Sequence, residues 1–317
     1  MDRGRRLRPV GVRSRPGHPL AAGDRAWTVK GIERSAGMNA GHRDQTKPER
    51  TNKTMTNKSA WRGIRESLAM HCQSREAVWP TSGDCDGEPE RILGWKSTGD
   101  ARRYRGYQVA RLARYVKGSV LDVGAKTGEL SRLLLASRRA KIDELVLSDR
   151  STDWLLHLER AFPDEKLIYL NLPAKVRAEV DTVLAVNVLG FIEDEEGALR
   201  SLVEAIRPGG RLVIWEAGCP ALYSGFDREK AGRLRRYTRK DLTGKLEAAG
   251  LETEVCRPIN ALGAIFNWFV VRRMSDVGDP RAVRIYDRTV VPVSRLLDHL
   301  RLPFGQNIIA VAKMPEA

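Results

Sequence analysis

The sequence has few cysteines, and none of them is arranged with histidine as a metal site requires. Its four cysteines, Cys72, Cys85, Cys219 and Cys256, include no Cys-x-x-Cys pair, and the five histidines stand at no metal-ligand spacing from them. Zinc sites and disulfide frameworks both depend on such spacings. We therefore expect a reduced compartment and no bound metal.

Long apolar runs are missing as well. A transmembrane helix needs about 18 or more consecutive apolar residues, and the chain contains no such run. The N-terminus also lacks a continuous hydrophobic stretch of signal-peptide length. The expected location is the cytoplasm.

Positive charge is plentiful, but it is unevenly distributed. The net charge is +15, and residues 1–60 alone hold 14 Lys/Arg against 5 Asp/Glu. Because this segment is rich in Arg, Gly, Pro, Asn and Thr and has no apolar periodicity, we predict a disordered basic tail. Such a tail either binds nucleic acid or acidic lipid or has no fixed role. Residues 61–100 are interpreted as a poorly defined N-terminal extension.

From residue 101 onward the chain alternates strand and helix patterns, which predicts one α/β domain over residues 101–317. The first five predicted strands are SVLDVG (119–124), ELVLSD (144–149), KLIYLNL (166–172), VDTVLAVNVL (180–189) and RLVIWEA (211–217). Near-continuous apolar strands separated by amphipathic helices are typical of a parallel sheet covered on both faces. The expected fold is a Rossmann-like, doubly wound sheet.

Ligands of such sheets bind beyond the carboxyl ends of the strands, so the glycine turn after the first strand is the expected site. A dinucleotide fingerprint would need glycine at Lys126 and Glu129, and a phosphate loop would need its lysine after Gly128. NAD enzymes and kinases are therefore disfavoured. The spacing fits better a nucleoside site in which Asp149, after the second strand, binds ribose hydroxyls. The alternative for Asp149 is a solvated turn or a helix cap.

The ordered motifs VLDVGAKTG, LSDRS, VDTVLAVNVL and RPGGRLVIWEAG resemble those of class I S-adenosylmethionine-dependent methyltransferases. The segments ALYSGFD, GRLRRYTRKDLTGKLEAAGL, NALG, YDR and LPFGQNIIAVAK resemble a bacterial subgroup often found beside sugar-modifying enzymes. The resemblance covers roughly residues 100–317. It implies a seven-stranded sheet whose last strand is antiparallel, bound S-adenosylmethionine, and methyl transfer to an acceptor.

The resemblance also implies a set of cofactor-binding positions, which are Asp122, Gly124, Lys126, Gly128, Asp149, Asn171 and Asn187. The positions in the glycine turn would line the methionine part, and Asp149 would bind the ribose. Asn171 stands where the family often has an acid near the adenine, and its amide oxygen can still accept a hydrogen bond there. Asn187 would lie near the transferred methyl group, or it is simply a strand-end cap.

Lys126 departs from the family, which usually has glycine at that position. A strained backbone there would cost about 1–3 kcal/mol. The ammonium either binds the cofactor carboxylate, which recovers part of that cost, or points to solvent. Gly190 and Phe191 stand where the family commonly has Glu and His, and Arg233 replaces a common His. These departures leave an alternative, a catalytically inactive methyltransferase-like binding or regulatory protein.

The predicted activity is methyl transfer to a hydroxyl or carboxyl group of a small or carbohydrate-related acceptor. Because alignment of the acceptor can suffice for this reaction, no catalytic residue is assigned. Four residues after the fifth strand are candidates for acceptor contacts: Tyr223, Asp227, Arg236 and Tyr237. Asp227 is also a candidate to deprotonate a hydroxyl.

Seven Lys/Arg residues fall between residues 228 and 240. They either bind a phosphate, in a nucleotide- or lipid-linked sugar or in RNA, or form a solvated helix surface. RNA is the less favoured partner, because Tyr237 is the one aromatic residue among these charges.

Residues 260–304 are predicted to be an insertion before the last strand. Its first part, ALGAIFNWFVVRRM, is too short to span a bilayer. The expectation is extra core, a lid, or an interfacial helix in peripheral contact with a membrane.

Overall fold

A computed structural model describes residues 101–176, 178–271 and 280–316. The predicted basic tail (1–60) and N-terminal extension (61–100) lie outside the described residues. The strands are β1 Lys117–Val123, β2 Lys141–Asp149, β3 Lys166–Tyr169, β4 Val180–Val186, β5 Ile206–Ala217, β6 Glu252–Ile259 and β7 Asn307–Lys313.

The described residues also form eight α-helices and several short helical turns. The α-helices are α1 Arg102–Leu112, α2 Glu129–Leu135, α3 Thr152–Ala161, α4 Glu195–Glu204, α5 Arg239–Ala248, α6 Ala261–Phe266, α7 Pro280–Ile285 and α8 Val291–Leu297. The π-helical turns are Phe226–Lys230, Asn267–Val271 and Tyr286–Val290, and the 3₁₀ turns are Leu189–Phe191, Pro220–Leu222 and Asp298–Leu300.

The seven strands form one sheet in the order β3-β2-β1-β4-β5-β7-β6. Neighbours from β3 to β5 pair in parallel, whereas β7 is antiparallel to both β5 and β6. The predicted seven-stranded α/β sheet with an antiparallel last strand is confirmed. The strand order reverses between β1 and β4, and in such sheets the ligand site lies at the carboxyl ends of these two strands.

Apolar cores cover both faces of the sheet, as the near-continuous apolar strands predict. On one face α4 and α5 bury Leu202 and Leu246. On the other, α1, α3 and α8 bury Tyr107, Leu158 and Val291. Because both faces are packed, functional side chains are expected at the exposed carboxyl edge of the sheet.

Each of the five predicted strands differs from the observed one at one end or at both, and for β4 and β5 the structure shows the cause. β4 ends at Val186, before the predicted 189, because Asn187 adopts a left-handed conformation (φ 54°) and donates its N–H to the Trp215 carbonyl (2.7 Å). β5 begins at Ile206, and the register between β4 and β5 shifts around the Pro-Gly-Gly turn. That turn therefore bulges out of a strand, whereas the sequence predicts that it separates helix from strand.

The predicted insertion between β6 and β7 is present and helical, and its described part is fixed to α1 by two buried acids. Asp287 accepts hydrogen bonds from the backbone N–H groups of Arg103 (3.1 Å) and Tyr104 (2.7 Å). These are donors of the first helical turn, which no side chain at the preceding residue caps. Asp298 accepts from the Tyr107 hydroxyl (2.6 Å) and pairs with Arg111 (2.9 Å).

Three of the sequence motifs, NALG, YDR and LPFGQN, meet at Asn260. Its Nδ2 donates to the Tyr286 hydroxyl (2.6 Å) and to Gln306 Oε1 (3.1 Å), and its Oδ1 accepts from the Gly263 N–H (3.1 Å). Asn260 is 1% exposed. This network ties the insertion to the carboxyl edge of the sheet, where β6 ends and β7 begins.

None of the helices in the described residues has the length and apolar character needed to cross a membrane.

Candidate active site

The turn after β1 contains three residues in the left-handed region of backbone space: Gly124 (φ 71°), Lys126 (φ 52°) and Gly128 (φ 67°). The Ala125 N–H donates to the Ser148 carbonyl of β2 (2.9 Å) and fixes the turn beside that strand. Lys126 therefore occupies the conformation that the sequence analysis associates with glycine. A non-glycine residue there costs on the order of 1–3 kcal/mol.

The two glycines of this turn face different neighbours. A β-carbon at Gly124 would lie 3.3 Å from Val188 Cγ2, in the loop after β4. Glycine therefore keeps open the space between the carboxyl ends of β1 and β4. At Gly128 a β-carbon would collide with the Phe162 ring, so this glycine allows α2 to pack closely against the end of α3.

The Asp149 carboxylate lies at the tip of β2, next to the turn. Oδ2 accepts from the Lys126 N–H (3.0 Å), and Oδ1 accepts from the Ser151 N–H (2.9 Å). Burial raises the pKa of Asp149, and these two N–H groups partly oppose that effect. Since each carboxylate oxygen can accept two hydrogen bonds, one acceptor position remains on each.

Asp122 lies within β1, and its carboxyl group faces α2. Its Oδ2 accepts a hydrogen bond from the Ser131 hydroxyl, and the residue is 4% exposed. Burial raises the pKa of Asp122 to about 7. Its predicted contact with the methionine part of the cofactor stays a prediction.

The two predicted asparagines follow β3 and β4. Asn171 is exposed just beyond β3, and Asn187 is half-buried beyond β4. The left-handed Asn187 turns the chain toward the 3₁₀ turn Leu189–Phe191. Their contacts with adenine and methyl group stay predictions.

Two cationic side chains, Lys126 and Arg233, contact the Phe191 ring at this edge of the sheet. Lys126 Nζ lies 5.7 Å and Arg233 Cζ 5.0 Å from the centre of the Phe191 ring. Burial lowers the pKa of Lys126 to about 8; the charge of Asp149 opposes that shift, while that of Arg233 adds to it. The sequence marks these residues as departures from the family, and the structure brings them together.

Glu216, near the end of β5, is a site residue that the sequence analysis missed. It is fully buried, and its Oε1 accepts from the N–H groups of Val188 (2.7 Å) and Leu189 (2.8 Å). Burial raises the pKa of Glu216, and the charge of Arg233 acts against it. A β-carbon on Gly190 would lie 3.1 Å from its Oε2. Glu216 thus fixes the loop after β4, and a buried acid in WEA is the signal that could have revealed it.

The four acceptor candidates are placed differently from one another. Tyr223 is 37% exposed, and its hydroxyl donates to the Arg233 carbonyl (2.9 Å). Asp227 is 2% exposed and bound by Arg236 through Nη2 (2.9 Å) and Nε (3.1 Å). Tyr237 is 1% exposed within the apolar core. Of the four, Tyr223 is the one whose side chain is open to an acceptor in this arrangement.

Three arginines of the basic segment 228–240 are turned inward, whereas Arg228, Arg239 and Lys240 are exposed. Arg233 and Arg236 pair with Asp227 (3.4 and 2.9 Å), and Arg235 Nη1 donates to the carbonyls of Leu189 (3.1 Å) and Ile192 (2.6 Å). Arg235, together with Arg233 on the Phe191 ring, holds the segment against the loop after β4, whereas Arg236 donates to the Gly218 carbonyl beyond β5 (3.2 Å). The phosphate contact predicted for this segment stays a prediction.

The comparison with protein families identifies the domain. Residues 100–254 match a family model described as a methyltransferase domain. By this match, residues 100–254 form a methyltransferase domain. The seven-stranded sheet with its antiparallel β7 agrees with the fold that the sequence resemblance implies.

The known proteins to which this chain is similar are distant. The polyketide synthase component of lovastatin nonaketide synthase from Aspergillus terreus is 28% identical over 131 residues, which are 38% of this chain and 4% of that protein. The chain thus spans a small part of that relative's length.

Two solved structures are similarly distant. One is a complex of the Haloferax volcanii Trm112 methyltransferase activator with a methyltransferase, with 14% identity, coverage of 70% and 94% of the two chains, and a TM-score of 0.49. Another is an S-adenosylmethionine-dependent methyltransferase from Mesorhizobium loti, with 14% identity, coverage of 68% and 99%, and a TM-score of 0.48.

The residues at the carboxyl edge fit S-adenosylmethionine, the cofactor that the sequence resemblance implies. Asp149 keeps acceptor positions for two ribose hydroxyls, and Gly124 leaves room between the turn and Val188. Both features suit a nucleoside held across β1 and β2. Across residues 101–176, 178–271 and 280–316, no three His, Cys, Asp or Glu side chains are grouped to hold a metal ion.

Replacing Lys126 with glycine is expected to stabilise the fold by about 1–3 kcal/mol at pH 7, because it removes a left-handed lysine and a buried ammonium. The folded-state pKa of Lys126, about 8, lies below its ordinary 10.5. The ammonium therefore opposes folding below pH 8, and its cost disappears as the pH rises toward 10.5. Urea unfolding at pH 7 and pH 10 measures the gain, which should shrink at the higher pH.

Lys126→Met is the matched control, because it removes the charge and keeps the β-carbon. It should reproduce the pH-dependent part of the gain without the part due to backbone strain. A glycine variant no more stable than the natural chain at pH 7 would show that neither cost exists.

Proposed function

We propose that this enzyme transfers the methyl group of S-adenosylmethionine to a small acceptor with a carboxylate or other anionic group, of which sugar acids are the carbohydrate-related class. The observation that supports this most is the pair of cations, Lys126 and Arg233, on the Phe191 ring beside the glycine turn. Cations at partly buried positions attract anionic groups strongly, because the surroundings screen them less than water does. The cytoplasmic location stays a prediction.

Three buried carboxyl groups at this end of the sheet support the same choice. Glu216 accepts hydrogen bonds from two backbone N–H groups, and Asp122 accepts one from the Ser131 hydroxyl. Asp227 forms ion pairs with two arginines. All three are buried and engaged, so none is presented as a general base. When bound, S-adenosylmethionine supplies an electrophilic methyl group. A carboxylate acceptor is already deprotonated and requires alignment without a base.

The residues of this chain would then act by binding and orientation. Arg233 and Lys126 would hold the anionic acceptor, and Phe191 would give it an apolar wall that excludes water. Tyr223, exposed and anchored to the Arg233 carbonyl, would contact the rest of the acceptor. Glu216 would act as a positioning residue, because it fixes the loop that contains Phe191.

The test is a methyl-transfer assay on the full chain, with release of S-adenosylhomocysteine measured for sugar acids and for their neutral counterparts. Turnover is expected with the sugar acids and not with the neutral sugars. Arg233→Ala should raise KM for an acid about tenfold or more, the effect of losing one charge-assisted hydrogen bond, with a smaller change in kcat. Arg239→Ala, at an exposed arginine of α5, is the matched control.

The pH dependence adds an independent readout. As the pH rises through about 8, the pKa of Lys126, the ammonium loses its charge and KM for an anionic acceptor should rise. Lys126→Met should abolish this rise. Equal turnover of acids and neutral sugars would refute the anionic acceptor. Cofactor binding without turnover of any acceptor would instead favour the inactive, regulatory alternative, which the strained Lys126 turn motivates.

A further inference from the structure

Exposed apolar side chains are concentrated on the described part of the helical insertion. Twelve large apolar residues are exposed among the described residues, and eight of them fall between residues 261 and 304. We call these eight the insertion face: Ile265, Trp268, Phe269, Ile285, Val293, Leu296, Leu300 and Phe304. Surface apolar residues scattered singly are ordinary, whereas a concentration of this kind marks an interaction site.

Helical spacing groups these side chains. Ile265, Trp268 and Phe269 stand at i, i+3 and i+4 along the helical stretch 261–271. Leu296 and Leu300 are likewise four residues apart and are 70% and 66% exposed. The inward sides of the same helices are packed, as Phe266 contacts the Tyr286 ring (5.4 Å). The insertion is therefore a packed helical unit with an apolar outer side.

The charged residues of the insertion are also divided between its inside and its surface. Its two described acids, Asp287 and Asp298, are 5% and 7% exposed and are used internally, on α1. Four of its arginines are exposed: Arg284, Arg288, Arg295 and Arg301. The outer surface thus combines apolar groups with positive charge.

We propose that the insertion face docks on an anionic lipid bilayer. Aromatic and aliphatic side chains beside arginines suit the boundary between headgroups and acyl chains, with the arginines near anionic headgroups. The chain's own segment 1–60 is a poorer occupant, because its 14 Lys/Arg against 5 Asp/Glu repeat the sign of the face. A second copy would likewise bring arginines against arginines.

Docking has a consequence for the active site. β6 ends at Ile259 and β7 begins at Asn307, so the insertion emerges from the same edge of the sheet as the glycine turn. The bilayer would lie next to the acceptor side, and an anionic acceptor carried on a lipid would be presented there. This last step rests on the proposed function, whereas docking does not, and vesicle binding tests docking without any turnover.

The experiment is sedimentation of the full chain with vesicles of phosphatidylcholine alone and with vesicles that also contain the anionic lipid phosphatidylglycerol. Binding is expected only to the anionic vesicles and should weaken in high salt. The double variant Trp268→Ser/Phe269→Ser should lower the partition coefficient about tenfold or more, since two large apolar side chains no longer insert. Arg288→Glu/Arg301→Glu should lower it to a similar extent.

The matched control is Leu133→Ser/Leu135→Ser, two exposed apolar positions of α2 outside the insertion face, which should bind like the natural chain. Circular dichroism confirms that each variant is folded. If the Trp268/Phe269 variant binds as well as the natural chain, the basic segment 1–60 carries binding and the proposal is overturned. Failure to bind anionic vesicles overturns it too, whether the chain is then a monomer or a dimer assembled through this face.

Discussion

Replacing Asp149 with alanine is expected to lower the affinity for S-adenosylmethionine at least about 100-fold. The Asp149 carboxylate has one free acceptor position on each oxygen, and two ribose hydroxyls would occupy them. A hydrogen bond to a charged group contributes about 1.5–3 kcal/mol, and two of them correspond to a factor of 100 or more in the dissociation constant. Isothermal titration calorimetry on the full chain measures the dissociation constant of S-adenosylmethionine.

The control for this variant is Asp153→Ala, which removes an exposed acid from the first turn of α3 and should leave binding unchanged. Because alanine at 149 also leaves the N–H groups of Lys126 and Ser151 without their acceptor, Asp149→Asn is measured in parallel, since its amide oxygen retains one of them. A folded Asp149 variant that binds the cofactor like the natural chain would contradict the ribose assignment.

The sheet and the place of the site could be predicted from the sequence because each depends on short-range patterns. Apolar runs separated by amphipathic helices determine a two-faced parallel sheet, and topology then places the site at the carboxyl ends of β1 and β4. The positions of the glycine turn and of Asp149 could be predicted because each lies at the end of a strand. The left-handed conformation at Lys126 could be predicted as well, because the family usually has glycine at this position and a left-handed backbone disfavours residues with a β-carbon.

The roles of individual charged residues could not be predicted in this way. Glu216 is separated by 27 or 28 residues from the backbone groups that it binds, and Asp287 by more than 180 from the helix that it caps. A sequence shows that an acid is present, but tertiary packing decides whether it faces solvent, a ligand or a helix terminus. Asp227 illustrates the difference, as its position after β5 suggests an acceptor contact and its surroundings show a buried ion pair.

Replacing Asp227 with alanine is therefore expected to lower the free energy of unfolding by about 3–5 kcal/mol, the usual effect of removing one partner from a buried ion pair. Asp227 and Arg236 side chains are 3% and 6% exposed, and the carboxylate also accepts from the Ser224 N–H (3.1 Å). Without it the Arg236 guanidinium would stay buried and uncompensated. Urea unfolding monitored by circular dichroism measures the change.

A double variant separates this structural role from a catalytic one. Asp227→Leu combined with Arg236→Met removes both charges and should be much less destabilising than Asp227→Ala, because no unpaired charge remains buried. Asp241→Ala, which breaks an exposed pair with Lys245, should change stability by less than about 0.5 kcal/mol. If Asp227→Ala abolished methyl transfer while leaving stability intact, the carboxylate would belong to the reaction. If stability falls and the double variant recovers it, Asp227 organises the acceptor side by holding Arg236 and Arg233 in place.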